Sequence, residues 1–89
     1  MGAGWLPDPD AEIVGRIGRS PQELGVSSQD ASCPDILQLS NGDYAVIGRD
    51  FTDQYAHSLP EGVRLGARER IIVIPGLTMR AARADIPDA

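Results

Sequence analysis

Ile36-Leu37-Gln38-Leu39-Ser40-Asn41-Gly42-Asp43-Tyr44-Ala45-Val46-Ile47 sets two short apolar runs on either side of an Asn-Gly pair. Asn-Gly is favoured in a two-residue type I′ turn, because both central residues of that turn take positive φ. The stretch therefore predicts a β-hairpin. Counting outward from the turn pairs Leu39 with Tyr44 and Leu37 with Val46 on one face, and Ile36 with Ile47 on the other. Both faces then carry apolar side chains, so neither is fully solvated.

On the C-terminal side the pattern changes. Phe51, Tyr55 and Leu59 recur at four-residue spacing, which predicts an amphipathic helix over 51–59, capped by Asp50 or Thr52 and stopped by Pro60 and Gly62. A polar connection leads to Ile71-Ile72-Val73-Ile74, four β-branched residues ahead of Pro75-Gly76 that read as a buried central strand. Residues 77–84 then predict a short helix with Leu77, Ala81 and Ala84 on one side and Arg80 and Arg83 on another. Ile86 to Ala89 reads as an exposed tail.

On the N-terminal side, residues 1–10 combine Pro7, Pro9 and two glycines with Trp5, a composition that suits an irregular arm. Asp10 can cap a helical turn through Ala11 to Arg16. Ser20-Pro21-Gln22-Glu23 is a capping box with proline at the first helical position, and Gly25 closes it. Residues 27–32 are small or polar and read as a linker. The expected architecture is α+β: a small three-stranded sheet built on the hairpin, with two short helices and an irregular N-terminal segment. Residues 1–10 form the arm and 11–89 a single domain. Strand 71–74 is the expected third strand, with both helices on one face. Ile13, Val14, Ile17 and Leu24 are available for the other face, and a second chain is the alternative cover.

Composition narrows the functional classes. The chain has 89 residues, 42% hydrophobic and 24% charged, which suits one ordinary globular domain and leaves no room for a separate cofactor domain. A chain this short buries only about 60–65% of its unfolded surface, so self-association or a protein partner is expected to complete the core. Net charge is −5, and all eight cations are arginine. Such an acidic chain is a poor nonspecific binder of nucleic acid, whose phosphates need cations. Cys33 is the only cysteine, so an internal disulfide is excluded and no zinc ligand set is offered. No cofactor or metal is expected. No apolar run approaches the roughly 20 residues of a membrane span, and the first residues lack the pattern of a secretory signal, so a cytoplasmic location is expected.

Cys33-Pro34-Asp35-Ile36, Asn41-Gly42-Asp43-Tyr44-Ala45-Val46-Ile47-Gly48, Asp50, Thr52 and Glu69-Arg70-Ile71-Ile72-Val73-Ile74-Pro75 resemble segments of small actinobacterial proteins of unknown function. The likeness covers residues 33–87 and contains no catalytic motif. It implies an actinobacterial intracellular protein of unassigned role. A looser similarity to small proteins that accompany helix-turn-helix regulators implies a regulatory partner. The absence of lysine fits the codon supply of a GC-rich genome.

Candidate chemistry is sparse. Asp53 and His57 stand four apart on the predicted helix, where a carboxylate can orient an imidazole for proton transfer or simply form an exposed helix pair. Cys33 beside Pro34 is either a reactive thiol or a small packing residue. A small enzyme or redox protein using Cys33, Asp53 or His57 is therefore the alternative to the leading reading. Arg49, Asp50, Thr52 and Asp53 meet where strand passes to helix, and their bland role is capping. Arg64, Arg68, Arg70, Arg80 and Arg83 make the C-terminal third the basic part of the chain, a surface for an acidic partner or a solvated face. Trp5 in an irregular arm either folds back on the domain or anchors a contact. The leading expectation is a noncatalytic protein-interaction module, with Trp5 and these five arginines as candidate contacts.

Overall fold

The computed structural model describes residues 4–26 and 34–87, and the fold is α+β. Strands β1 (Ile13–Ile17), β2 (Asp35–Leu39) and β3 (Tyr44–Ile47) form an antiparallel sheet in that order. The hairpin forms as its sequence predicts, but with a longer turn. Leu39 N–H donates to the Asp43 carbonyl at 2.9 Å and Gly42 N–H to the Leu39 carbonyl at 3.1 Å, so Ser40, Asn41 and Gly42 make a three-residue loop. Gly42 has φ of 92°, the left-handed geometry that closes such a loop at little steric cost. Asn41 Oδ1 accepts from Asp43 N–H at 3.0 Å and holds the loop in place. The register consequently moves by one residue: Ile36 faces Val46, Leu37 faces Ala45 and Gln38 faces Tyr44. This shift places Ile36, Val46 and Tyr44 on one face, where a two-residue turn would have separated Ile36 from Val46.

The helical turn expected over Ala11 to Arg16 is replaced by β1. Ile13, Val14 and Ile17 are β-branched and Gly15 weakens a helix, while β2 offers an edge on which the segment can pair. Ile17 stands opposite Ile36 and Arg16 opposite Leu37, and the register slips between Ile13 and Gly15, leaving Val14 as the extra residue of a bulge. Arg16 reaches diagonally to Asp35 in a two-pronged ion pair, Nε to Oδ1 at 2.7 Å and Nη2 to Oδ2 at 2.8 Å.

With β1 occupying that edge of β2, the apolar run at 71–74 does not become the third strand. It forms only β5 (Ile72–Val73), paired with β4 (Arg49–Asp50) in a separate two-stranded ribbon, and both its residues are exposed. Helix α1 (Pro21–Leu24) keeps the predicted capping box: Glu23 N–H donates to Ser20 Oγ at 3.1 Å and Ser20 N–H to Glu23 Oε1 at 3.0 Å. Helix α2 (Thr52–Tyr55) is a single turn rather than the helix expected over 51–59. Pro60 disfavours helical geometry at Leu59, and Ser58 N–H already turns back to the Tyr55 carbonyl at 2.9 Å. Helix α3 (Gly76–Ala82) continues into a 3-10 turn at Arg83–Asp85.

The core is small. Ile17, Ile36 and Ala82 are buried, and Ile74 packs against them. Contact between α3 and β1 is close at Gly18, whose φ is 80° and whose missing Cβ would lie 3.0 Å from the Ala82 nitrogen. Gly18 N–H also donates to Asp85 Oδ2 at 2.7 Å. Buried Thr52 joins the ribbon to α2: its hydroxyl donates to Asp50 Oδ1 at 2.6 Å and accepts from Ile71 N–H at 2.8 Å. Thr52→Val preserves shape but strands that N–H, and a loss of about 1–3 kcal/mol in urea unfolding is expected. Thr52→Ser keeps both bonds and is expected to lose only about 1 kcal/mol, for the methyl group.

Candidate interaction surface

Alternation along β3 turns Tyr44 and Val46 toward the face that carries Ile36 and, from β1, Ile17. Helix α3 covers only part of this face. Between helix and sheet lies an open groove of about 220 Å³ lined by Ile17, Ile36, Tyr44, Val46, Met79, Ala82 and Ile86. Every lining residue is apolar or aromatic. Met79 and Ile86 keep about half of their surface exposed, as does Val46. Helix packing explains the placement. Met79, Ala82 and Ile86 recur at three- and four-residue spacing, and Ala82, fully buried, is the small residue that lets α3 approach Gly18. The expected inner stripe of Leu77, Ala81 and Ala84 is rotated away: Leu77 and Ala84 are exposed, and Thr78 and Ala82 are the buried positions.

Trp5 is 71% exposed, and its indole N–H donates to Asp43 Oδ2 at 3.2 Å. The same carboxylate oxygen accepts from Asn41 Nδ2 at 3.2 Å. The arm therefore touches the hairpin tip at a residue whose side chain alternates with that of Tyr44, on the side away from the groove. Leu6 beside it is also exposed. Residues 4–10 contain neither helix nor strand.

The arginines fall into two separate groups along the chain. Arg64 and Arg68 are exposed on the connection before β5, and Arg70 donates to Asp50 Oδ2 from Nε at 3.0 Å and from Nη2 at 2.9 Å. Arg80 lies on α3 and Arg83 on the turn that follows, both exposed. Among the described residues no hydrogen bond or ion pair links the first set to the second.

Asp53 and His57 are both exposed, and no hydrogen bond joins them in the structure. Helix α2 ends before His57, so the four-residue helical spacing that was to bring them together is not maintained. Cys33 lies outside the described residues. Among the described residues no group of three or more His, Cys, Asp and Glu side chains is placed to hold a metal ion. No helix among them is long and apolar enough to cross a membrane.

Asp50 has the clearest electrostatic signature. Hydrogen bonds from the Thr52 hydroxyl and main chain, with Arg70 beside it, hold its carboxyl down at about 2. A carboxyl lowered on folding stabilises the fold above its unfolded pKa, and that contribution is lost as pH falls toward the folded value. Thermal unfolding midpoints should therefore drop between about pH 4 and pH 2, and Asp50→Asn should flatten that drop. Equal slopes for the two chains, followed by circular dichroism, would contradict the assignment.

The groove draws on residues from β1, β2, β3 and α3 and from the segment after it, and the sequence reading had not assembled it. Its one local trace is the spacing of Met79, Ala82 and Ile86. Searches of protein-family models, of curated proteins and of solved structures find no match to this chain.

Proposed function

We propose that this chain is a noncatalytic protein-interaction module, a regulatory or accessory partner in the cytoplasm of an actinobacterial cell, and that the groove between α3 and the sheet is its principal contact surface. The observation that carries this reading is a wholly apolar groove left open beside a core that, among the described residues, holds three buried hydrophobic side chains. Val46, Met79 and Ile86 each leave about half of their surface exposed there, and apolar surface gathered in one place marks a site for a partner. Met79 at the groove edge suits such a contact, since its unbranched side chain adapts to the shape laid against it. The net charge of −5 favours a protein partner over nucleic acid. Trp5 and Leu6 supply a second apolar contact at the hairpin tip, and the exposed Arg80 of α3 and Arg83 of the following turn are next in sequence to the groove residues Met79 and Ala82.

The test is capture from the native host with immobilised wild-type chain and with Met79→Glu and Trp5→Ala chains. A defined protein retained in stoichiometric amount is expected, with retention reduced about tenfold or more by Met79→Glu, because a charge is then placed in a desolvated contact. Equal retention by all three chains would remove the groove and Trp5 as contacts. Absence of any retained protein would count against the module itself.

A further inference from the structure

The free edge of the sheet points to a particular partner. In β3 the odd-numbered residues turn their main-chain groups inward to β2, as the Leu39 N–H bond to the Asp43 carbonyl shows. In the ribbon the odd-numbered residues again turn toward their partner, with Phe51 N–H bonded to the Ile71 carbonyl at 2.8 Å. Main-chain bonds alternate sides along an antiparallel strand, so the N–H and C=O groups of Tyr44 and Val46 point outward. No element among the described residues pairs with them.

Edge strands are normally guarded by charges, prolines or bulges. β1, the other edge, has both a bulge at Val14 and the charged Arg16. β3 reads Tyr-Ala-Val-Ile, with no charge, no proline and no regular interruption, and none of its residues is buried. We infer that β3 is a self-pairing edge: two copies of this chain join β3 to β3 antiparallel about a two-fold axis, giving a six-stranded sheet with the two grooves on the same face. This rests on the reading of the chain as an interaction module and specifies its first partner as a second copy.

Two observations favour a copy of the same chain. An antiparallel edge is self-complementary about a two-fold, so one unguarded strand serves both partners. The two ends of this edge carry opposite charges, Asp43 before β3 and Arg49 after it, and antiparallel pairing centred on Val46 sets Asp43 across from Arg49 of the second copy.

Light scattering over a concentration series provides the test, with amide exchange measured on the same samples. The wild-type chain is expected at twice its 9.5 kDa mass, with a dissociation constant of about 10 µM or tighter. Exchange at the Tyr44 and Val46 N–H groups should slow as the dimer forms. Val46→Pro removes one outward N–H that the ladder to β2 does not use, and Val46→Lys adds the missing guard. Each is expected to weaken dimerisation about 100-fold, whereas Val14→Lys on the opposite edge leaves it unchanged. If neither Val46 variant folds, exchange at Tyr44 and Val46 in the wild-type chain decides the question. A wild-type chain monomeric at about 100 µM, or a dimer whose Tyr44 and Val46 N–H groups exchange at solvent rates, overturns self-pairing. A monomer that still captures a host protein through Met79 would overturn self-pairing alone and leave the interaction module standing.

Discussion

Gly48→Ala is expected to destabilise the chain by about 3 kcal/mol or more, lowering the unfolding midpoint by at least about 12 °C. Gly48 joins β3 to β4, and an added Cβ would sit 2.5 Å from the Val73 carbonyl oxygen and 2.7 Å from methyl carbons of both Ile72 and Ile74. The nearest of these atoms is backbone, which cannot swing aside as a side-chain end can. Relief requires the ribbon to move, and Ile74 at its end packs on the core, so the displacement reaches Ile17, Ile36 and Ala82. Gly15→Ala is the matched control, because open space surrounds the position where its Cβ would lie, and a change within about 0.5 kcal/mol is expected. Similar losses for the two variants in thermal unfolding would show that strand entropy and not the contact with Val73 determines the cost.

The second large effect concerns the core itself. Ile36→Ala is expected to cost about 2–5 kcal/mol in urea unfolding, the range for truncating a buried aliphatic side chain. Ile36 is 5% exposed on the central strand and faces Ile17 on one side and Val46 on the other. With so few buried hydrophobic neighbours, little can collapse into the space it leaves. Ile47→Ala, on the facing strand but half exposed, is expected to cost under about 1 kcal/mol. A reversed order would place the principal core on the opposite face of the sheet.

Local signals in this chain were legible and distant ones were not. The capping box at Ser20 and the Asn-Gly hairpin are short-range devices, and the structure contains both. The hairpin's register depends on whether one or two further residues join the turn, and Asn-Gly serves a three-residue loop as readily as a two-residue one when glycine takes the left-handed position. Ala11 to Arg16 carried a weak helix signal that could not compete with pairing along β2. The run at 71–74 showed β preference correctly, but preference does not state which strand is its neighbour or how deeply it is buried. The groove was invisible for the same reason. Its walls lie far apart in sequence, and they meet only because Ala82 fits against Gly18, a contact with no local signature.

That contact also sets an order of assembly. The bond from Gly18 N–H to Asp85 closes a loop of 67 residues, whereas the β2–β3 turn closes one of a few. Closure entropy grows with loop length and hairpins form within about 1–10 µs, so the hairpin is the early nucleus and docking of α3 the late step. Late-docking elements also detach first. Release of α3 would uncover Ile17 and Ile36 while leaving the three strands paired, a sub-global opening that lets the groove widen without melting the sheet.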